Sequence, residues 1–311
     1  MRISVVIPLF NKEPHVRAAI ESALAQSLPP LEIIVVDDGS TDRGLAIVEG
    51  MADSRLKIFT RSPPGPGGYA ARNLGIQHAQ GDWIAFLDAD DLWRRDHLAD
   101  LAAAREAAGA SDGIGCLFSR FEVKEEGRDR LYRIDESSIV PGRPITLSAF
   151  LRGWLATERC PMWTSAIAIR RDVIAKAGDF PAGRARRGGD KDLWLRCMAV
   201  TQGAYAPAPS AEFHQDTVNR VTKSAAHAQL PIIIDTIQTL ERSASAEERG
   251  LLRRLRNQEI RLYARHAAGA GSIVGPKFLA ALHYPTGLRD AAAIGVYGAA
   301  GLIRSRIPRR G

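Results

Sequence analysis

Asp88-Ala89-Asp90-Asp91 closes an apolar run of strand length, Trp83 to Leu87. Three carboxylates within four residues repel one another, so the stretch is stable only where a cation or a proton neutralises them. Carboxylate oxygens are hard ligands. They suit Mg²⁺ or Mn²⁺, which combine one or two carboxylates with substrate phosphates. The plainer account is a cap for a helix beginning near Trp93, for which one Asp would suffice. Asp37-Asp38-Gly39-Ser40 ends a second apolar run. A carboxylate there can accept hydrogen bonds from a nucleobase N–H or from ribose hydroxyls, or cap a helix behind a turn glycine. Asp190, in Gly188-Gly189-Asp190-Lys191-Asp192, stands at or near a helix start. It is placed to accept a proton from a nucleophilic hydroxyl, or only to cap. Asp192 supports the first turn.

Two further stretches carry weaker signals. Gly65 to Gly75 puts a glycine-rich loop before a helix, as phosphate cradles do, but has neither GxGxxG nor GK[ST]. Arg72 and Asn73 either reach a diphosphate or hold the loop. His214 lies in an irregular Phe213-to-Asp216 segment, where a lone histidine is ordinarily a surface or core residue.

The elements that must position these groups alternate. Ile3 to Leu9, Leu31 to Val36, Leu56 to Phe59 and Trp83 to Leu87 read as strands. Helices are expected from a cap at Asn11, from Ser40 or Thr41 to about Ala52, and from Tyr69 to Ala79. Strands alternating with helices mean βαβ units and a mostly parallel α/β sheet, with ligands at the carboxyl ends of the strands. Phe10-Asn11, Asp37-Asp38 and Asp88 to Asp91 therefore converge on one rim. From about Gly113 the pattern is mixed. Short strands are expected at 115–123, 131–134 and 165–169, and helices at 146–155 and from Asp190. After His214 the pattern is helical: 225–242, 246–268, a break, then two shorter pieces.

Composition is that of a globular chain, 45% hydrophobic and 25% charged over 311 residues. Cys116, Cys160 and Cys197 form no CxxC pair, which points to buried thiols in a reducing, cytoplasmic compartment. No signal-peptide pattern is present, and no apolar run reaches the roughly 18 residues of a spanning helix. The net charge of +7 is uneven: from Glu241 onward there are 13 Lys+Arg against 5 Asp+Glu. The basic helices carrying Arg253, Arg254, Arg256, Arg261 and Arg265, then Arg304, Arg306, Arg309 and Arg310, have two readings. One is contact with the inner face of an anionic membrane. The other is a solvated subdomain packed on the rest. Nucleic-acid binding is not expected, since no module or aromatic platform accompanies the charge.

In order along the chain, these motifs resemble family 2 glycosyltransferases of the GT-A (Rossmann-like) fold. The resemblance rests on Val5-to-Asn11, Ile34-to-Asp42, Ala71-to-Gly75, Gly81-to-Asp91 and Asp190-to-Arg196. It is close over residues 1 to about 93, thinner to about 220 and absent beyond. It implies a catalytic domain over 1–222 and a basic helical region over 223–311. It also implies a nucleotide-diphosphate-sugar donor, a divalent cation (Mn²⁺ or Mg²⁺), and a glycan or glycolipid acceptor in cell-surface polysaccharide assembly. Pro8 and Phe10 would then sit by the nucleobase. Asp38 would bind base or ribose, and Arg72 and Asp88 would lie by the donor. Asp90 would bind the metal, with His214 matching a late histidine near the diphosphate. Asp190 would be the base of an inverting displacement. Gly189 departs from the family, where Glu is usual. Two rivals are a sugar nucleotidyltransferase, which lacks its phosphate loop here, and a donor-binding protein without catalysis, which would need no base.

Overall fold

The computed structural model describes residues 1–110, 112–217, 230–270, 274, 276–284 and 287–305. Strands β1 (Ile3–Leu9), β2 (Glu32–Asp37), β3 (Leu56–Thr60) and β4 (Trp83–Phe86) alternate with helices α1 (Val16–Leu24), α2 (Gly44–Glu49) and α3 (Tyr69–His78). They pair in parallel in the order β3-β2-β1-β4. β1, β2 and β4 are almost wholly buried because both faces are covered, while β3, at the sheet edge, is only partly buried. Ile3, Val5, Ile7 and Leu9 face one core with α1, while Val6 faces the other with α3.

Beyond β4 come β5 (Leu92–Trp93), α4 (His97–Ala107), β6 (Ile114–Lys124), β7 (Arg130–Leu131), α5 (Leu147–Thr157), β8 (Ile167–Arg170), α6 (Arg171–Ala177), α7 (Gly189–Met198) and β9 (Gln202–His214). The sheet continues β4-β8-β6-β9-β5, with β7 on the side of β6. Its second half is mixed: β8 runs antiparallel to both β4 and β6, while β9 runs parallel to β6. The expected α/β sheet with flanking helices is present.

Four local expectations need correction. Asn11 does not cap α1, which starts at Val16. It takes a left-handed φ of 51°, and its side chain accepts from Thr41 N at 2.7 Å, tying the ends of β1 and β2 together. The helix expected from Ser40 or Thr41 begins later, at Gly44, because Asp37 and Asp42 take the turn's N–H groups. The helix placed near Trp93 begins at His97, so Asp88, Asp90 and Asp91 are not its caps. Trp93 is instead a strand residue paired with Ala211. His214 ends a 13-residue strand rather than an irregular segment. Pro207 and Pro209 hide that strand in the sequence. Ser119 faces Ala206 and Arg120 faces Pro209, so the chain bulges at Pro207 and keeps its ladder on either side.

Helices α8 (Ile233–Leu240), α9 (Ala246–Gly269), α10 (Pro276–Ala280) and α11 (Leu288–Ser305) follow. The part of the expected helix at 225–229, the 222/223 boundary, and Arg306, Arg309 and Arg310 lie outside the described residues. Ser245 and Glu248 form a capping box at the start of α9. Leu252, Leu255, Ile260 and Ala264 of α9 share one core with Trp154 and Trp194. Several basic residues are internally paired: Arg253 and Arg256 with Glu241, and Arg261 with Glu158 and Asp290. No helix among the described residues is long and apolar enough to cross a membrane.

The approach of α3 to β1 depends on Gly75, where a Cβ would fall 2.4 Å from Val6 Cγ1. Gly75→Ala is expected to lower unfolding free energy by about 1–3 kcal/mol in denaturant titrations, the usual cost of overpacking. Adding Val6→Ala should recover part of that loss.

Candidate active site

The ends of β1, β2 and β4 lie side by side, as parallel pairing requires, and their polar residues meet there. Each carboxylate has a different partner. Asp37 is a turn residue: its oxygens accept from the backbone of Gly39 and Ser40 at 3.2 Å. Asp38 is buried, pairs with Arg61 and accepts from Gly65 N at 3.1 Å, so it anchors the start of the glycine-rich loop. Pro8 lies under that loop, since a Cβ on Gly68 would sit 3.6 Å from it. Phe10 is 43% exposed at the same rim, an unusual position for a phenylalanine unless a ring can stack on it.

Arg72 leaves the first turn of α3 and is buried. It donates to Gly67 O at 3.0 Å, pairs with Asp88, and lies 5.6 Å from the Phe180 ring centroid. It therefore both holds the loop and neutralises Asp88. Asn73 does neither: it exchanges two hydrogen bonds of 3.0 Å with the backbone of Phe180. Burial pushes the Asp88 carboxyl above its ordinary range, and the Asp90 and Asp190 charges add to this against the pull of Arg72.

Asp90 points to the opposite side. Its Oδ2 takes Lys12 Nζ at 2.5 Å and Thr217 Oγ1 at 2.7 Å. Asp91 turns inward to Ser165 Oγ at 2.5 Å and to the backbone N–H of His214 at 3.0 Å. Desolvation, then the charges of Asp88 and Asp90, push its pKa well up. Asp91 thus belongs to the local architecture: it pins the end of β9 and so places His214 beside the cluster. His214 Nε2 is buried without a hydrogen-bond partner, 3.4 Å from Glu212 Oε2. His15 senses Asp90, Lys12 and His214 electrostatically, but burial is the main cause of its lowered pKa.

A divalent cation fits this set by its chemistry. Asp90 offers a hard oxygen already holding an ammonium, and His214 offers Nε2, which faces Glu212 Oε2 at 3.4 Å. Among the described residues no group of three or more His, Cys, Asp or Glu forms a ready cage. That suits ions that complete their coordination with substrate phosphates.

Asp190 is the second residue of α7. The helix N-cap is Gly188, and no side-chain cap is made. Among the described residues the Asp190 carboxylate has no hydrogen bond or ion pair. Asp192, two residues on, pairs with Arg196 at 3.0 Å and accepts from Thr236 of α8. The charge of Asp190 is felt by Tyr69, Arg72 and Asp88, which puts it on the side of the cluster facing the Arg72–Asp88 pair. Sequence reasoning did not find Lys12, Ser165, Thr217 or Tyr69. Of these, Lys12 directly follows Asn11 and Tyr69 lies inside the Gly65-to-Gly75 stretch.

The family model for glycosyl transferase family 2 matches residues 4–176, which includes β1 through β4 and Asp88 to Asp91. This chain belongs to glycosyl transferase family 2. It is 37% identical over 228 residues to the succinoglycan biosynthesis protein ExoO of Rhizobium meliloti, covering 71% of this chain and 63% of that protein. It is 43% identical over 98 residues to an uncharacterized glycosyltransferase of Haemophilus influenzae, 31% of this chain and 39% of that one. The chain thus spans less than two thirds of the length of these relatives. Among solved structures it resembles S. aureus TarS 1-349 in complex with UDP-GlcNAc, with a TM-score of 0.68 and 18% identity over 97% of this chain and 90% of that one. It also resembles the mannosyltransferase PcManGT from Pyrobaculum calidifontis in complex with GDP-Man and Mn²⁺, with a TM-score of 0.56 and 21% identity over 96% and 87%. At these identities the likeness shows the GT-A fold.

The pairing of Arg72 with Asp88 carries a stability consequence. Arg72→Met leaves a recessed carboxylate without its counter-charge and is expected to cost stability near the lower end of about 3–5 kcal/mol. Arg72→Met combined with Asp88→Asn should lose clearly less, and urea denaturation of the three proteins measures the difference.

Proposed function

We propose that this chain transfers a sugar from a nucleotide-diphosphate-sugar to an acceptor hydroxyl, with inversion, in the assembly of a cell-surface polysaccharide or glycolipid. One observation carries the reading. Asp38, Asp88, Asp90, Asp91 and Asp192 are each engaged by a partner, and Asp190 is left without one among the described residues. An unpaired carboxylate facing a donor site is free to take a proton. A mere binding protein has no use for such a group, and a nucleotidyltransferase would need a phosphate loop instead.

In this reading Phe10 and Pro8 flank the nucleobase, Asp38 meets base or ribose, and Arg72 and Asp88 border the sugar-diphosphate. Asp90 and His214 would hold a divalent cation, which supplies positive charge at the leaving diphosphate. Lys12, which pairs with Asp90 here, would have to yield that oxygen to the cation. The acceptor hydroxyl gives its proton to Asp190 Oδ while its oxygen bonds to the anomeric carbon. The bond from that carbon to the diphosphate oxygen breaks on the opposite face. One displacement with one base inverts the anomeric centre. The assembly role is supported by the succinoglycan relative, and a nucleotide-sugar donor by the UDP-GlcNAc and GDP-Man complexes of the structural neighbours.

Release of nucleoside diphosphate from a panel of UDP-, GDP- and dTDP-sugars, with Mn²⁺ and candidate acceptors, tests this. Asp190→Asn should cut transfer by roughly 10²–10⁴-fold, the usual share of a general base, with nucleotide affinity unchanged. Full transfer by a folded Asp190→Asn protein would remove the base from the scheme.

The same reading extends to a membrane-surface contact and a place on the inner membrane face. It is supported by α11, which exposes Leu288 and Val296 at 67% each in an uncharged run from Ala291 to Ile303 that ends at Arg304. Co-sedimentation with anionic liposomes is expected for the full chain and reduced on deleting residues 285–311. Undiminished binding would rule the contact out.

A further inference from the structure

The turn that presents Asp190 is held from two sides. On the sheet side, Gly189 N–H donates to Tyr69 Oη at 2.9 Å. Tyr69 is 4% exposed and stacks on Phe180, with ring centroids 5.9 Å apart and planes 11° apart. A Cβ on residue 189 would lie 2.8 Å from Tyr69 Cζ and 2.6 Å from Pro181 Cγ. The space a side chain would use at 189 is therefore already filled by a phenol and a proline ring. On the helical side, a Cβ on Gly188 (φ 75°) would lie 2.4 Å from Tyr263 Oη of α9. Lys191 pairs with the buried Glu259 of α9 at 3.2 Å.

Asp190 sits between these contacts with no hydrogen bond or ion pair among the described residues. A general base must be held within about 0.5 Å of its working place. An Asp at a helix start is usually fixed by its own capping bonds, and Asp190 makes none. What remains to fix it is the backbone on either side. The phenol is also polar where it matters. Burial and the charge of Asp190 push its pKa up, so it keeps its proton through the neutral range. Among the described residues nothing accepts that proton.

We propose that Tyr69 is the positioning residue for Asp190. Its hydroxyl anchors the backbone of residue 189, and its ring, with Pro181, fills the space a side chain there would use. This rests on Asp190 being the base. It also accounts for Gly189: beside Tyr69 and Pro181 a Cβ has no room.

Tyr69→Phe keeps the ring and removes the oxygen. In the full chain, peptide-level hydrogen exchange over residues 186–192 should become about tenfold faster, the equivalent of one hydrogen bond. Turnover in nucleoside diphosphate release should fall about tenfold with donor KM unchanged. Gly189→Ala, whose Cβ has no room beside Tyr69 and Pro181, should lower thermal stability. Exchange and turnover of Tyr69→Phe equal to the unmodified chain would overturn the proposal. Exchange and melting need no substrate. An unmodified chain that releases no nucleotide would therefore count against the proposed reaction, while an active chain indifferent to Tyr69→Phe would count against Tyr69.

Discussion

Asp88, Asp90 and Asp91 must share the end of one short strand, and three like charges that close cannot all ionise without help. Each is answered by a different device: Arg72 for Asp88, the Lys12 ammonium for Asp90, and a hydroxyl plus a backbone N–H for Asp91. Every one of those partners comes from a distant part of the chain. Lys12 follows β1, Arg72 starts α3, Ser165 precedes β8, and His214 ends β9. The acidic cluster thus orders its surroundings, because each carboxylate left unanswered would be a buried charge without compensation.

The sheet topology makes this convergence possible. Parallel β1, β2 and β4 put their carboxyl ends on one rim. Antiparallel β8 then places Ser165 under that rim, and β9, parallel to β6, brings its far end to Asp91. A mixed second half is what lets strands enter the same edge from both directions. The paired cations also explain how the rim tolerates its charge: Arg72 and Lys12 each stand against one carboxylate.

The C-terminal helices add a second constraint. Helix α9 contributes Tyr263 and Glu259 to the segment around Asp190, and its apolar face shares a core with Trp154 and Trp194. Arg253, Arg256 and Arg261 are held in internal ion pairs. Helix α11 exposes Leu288 and Val296.

The four parallel strands, the acidic cluster and Asp190 were legible in the sequence by itself. Strand periodicity and crowded carboxylates are local signals, and local chemistry decides them. Gly189 departs from what the family resemblance implies there, and the sequence does not say why. Strand β9 was not legible, because Pro207 and Pro209 read as loop residues until the bulge beside β6 absorbs them. Nor were the division of labour within Asp88-Ala89-Asp90-Asp91, or the partnership of Tyr69 with Gly189. Those follow from which groups reach the rim from elsewhere in the chain, 16 residues away for Arg72, 78 for Lys12 and 123 for His214. That is a matter of sheet order and helix approach, which only the tertiary structure decides.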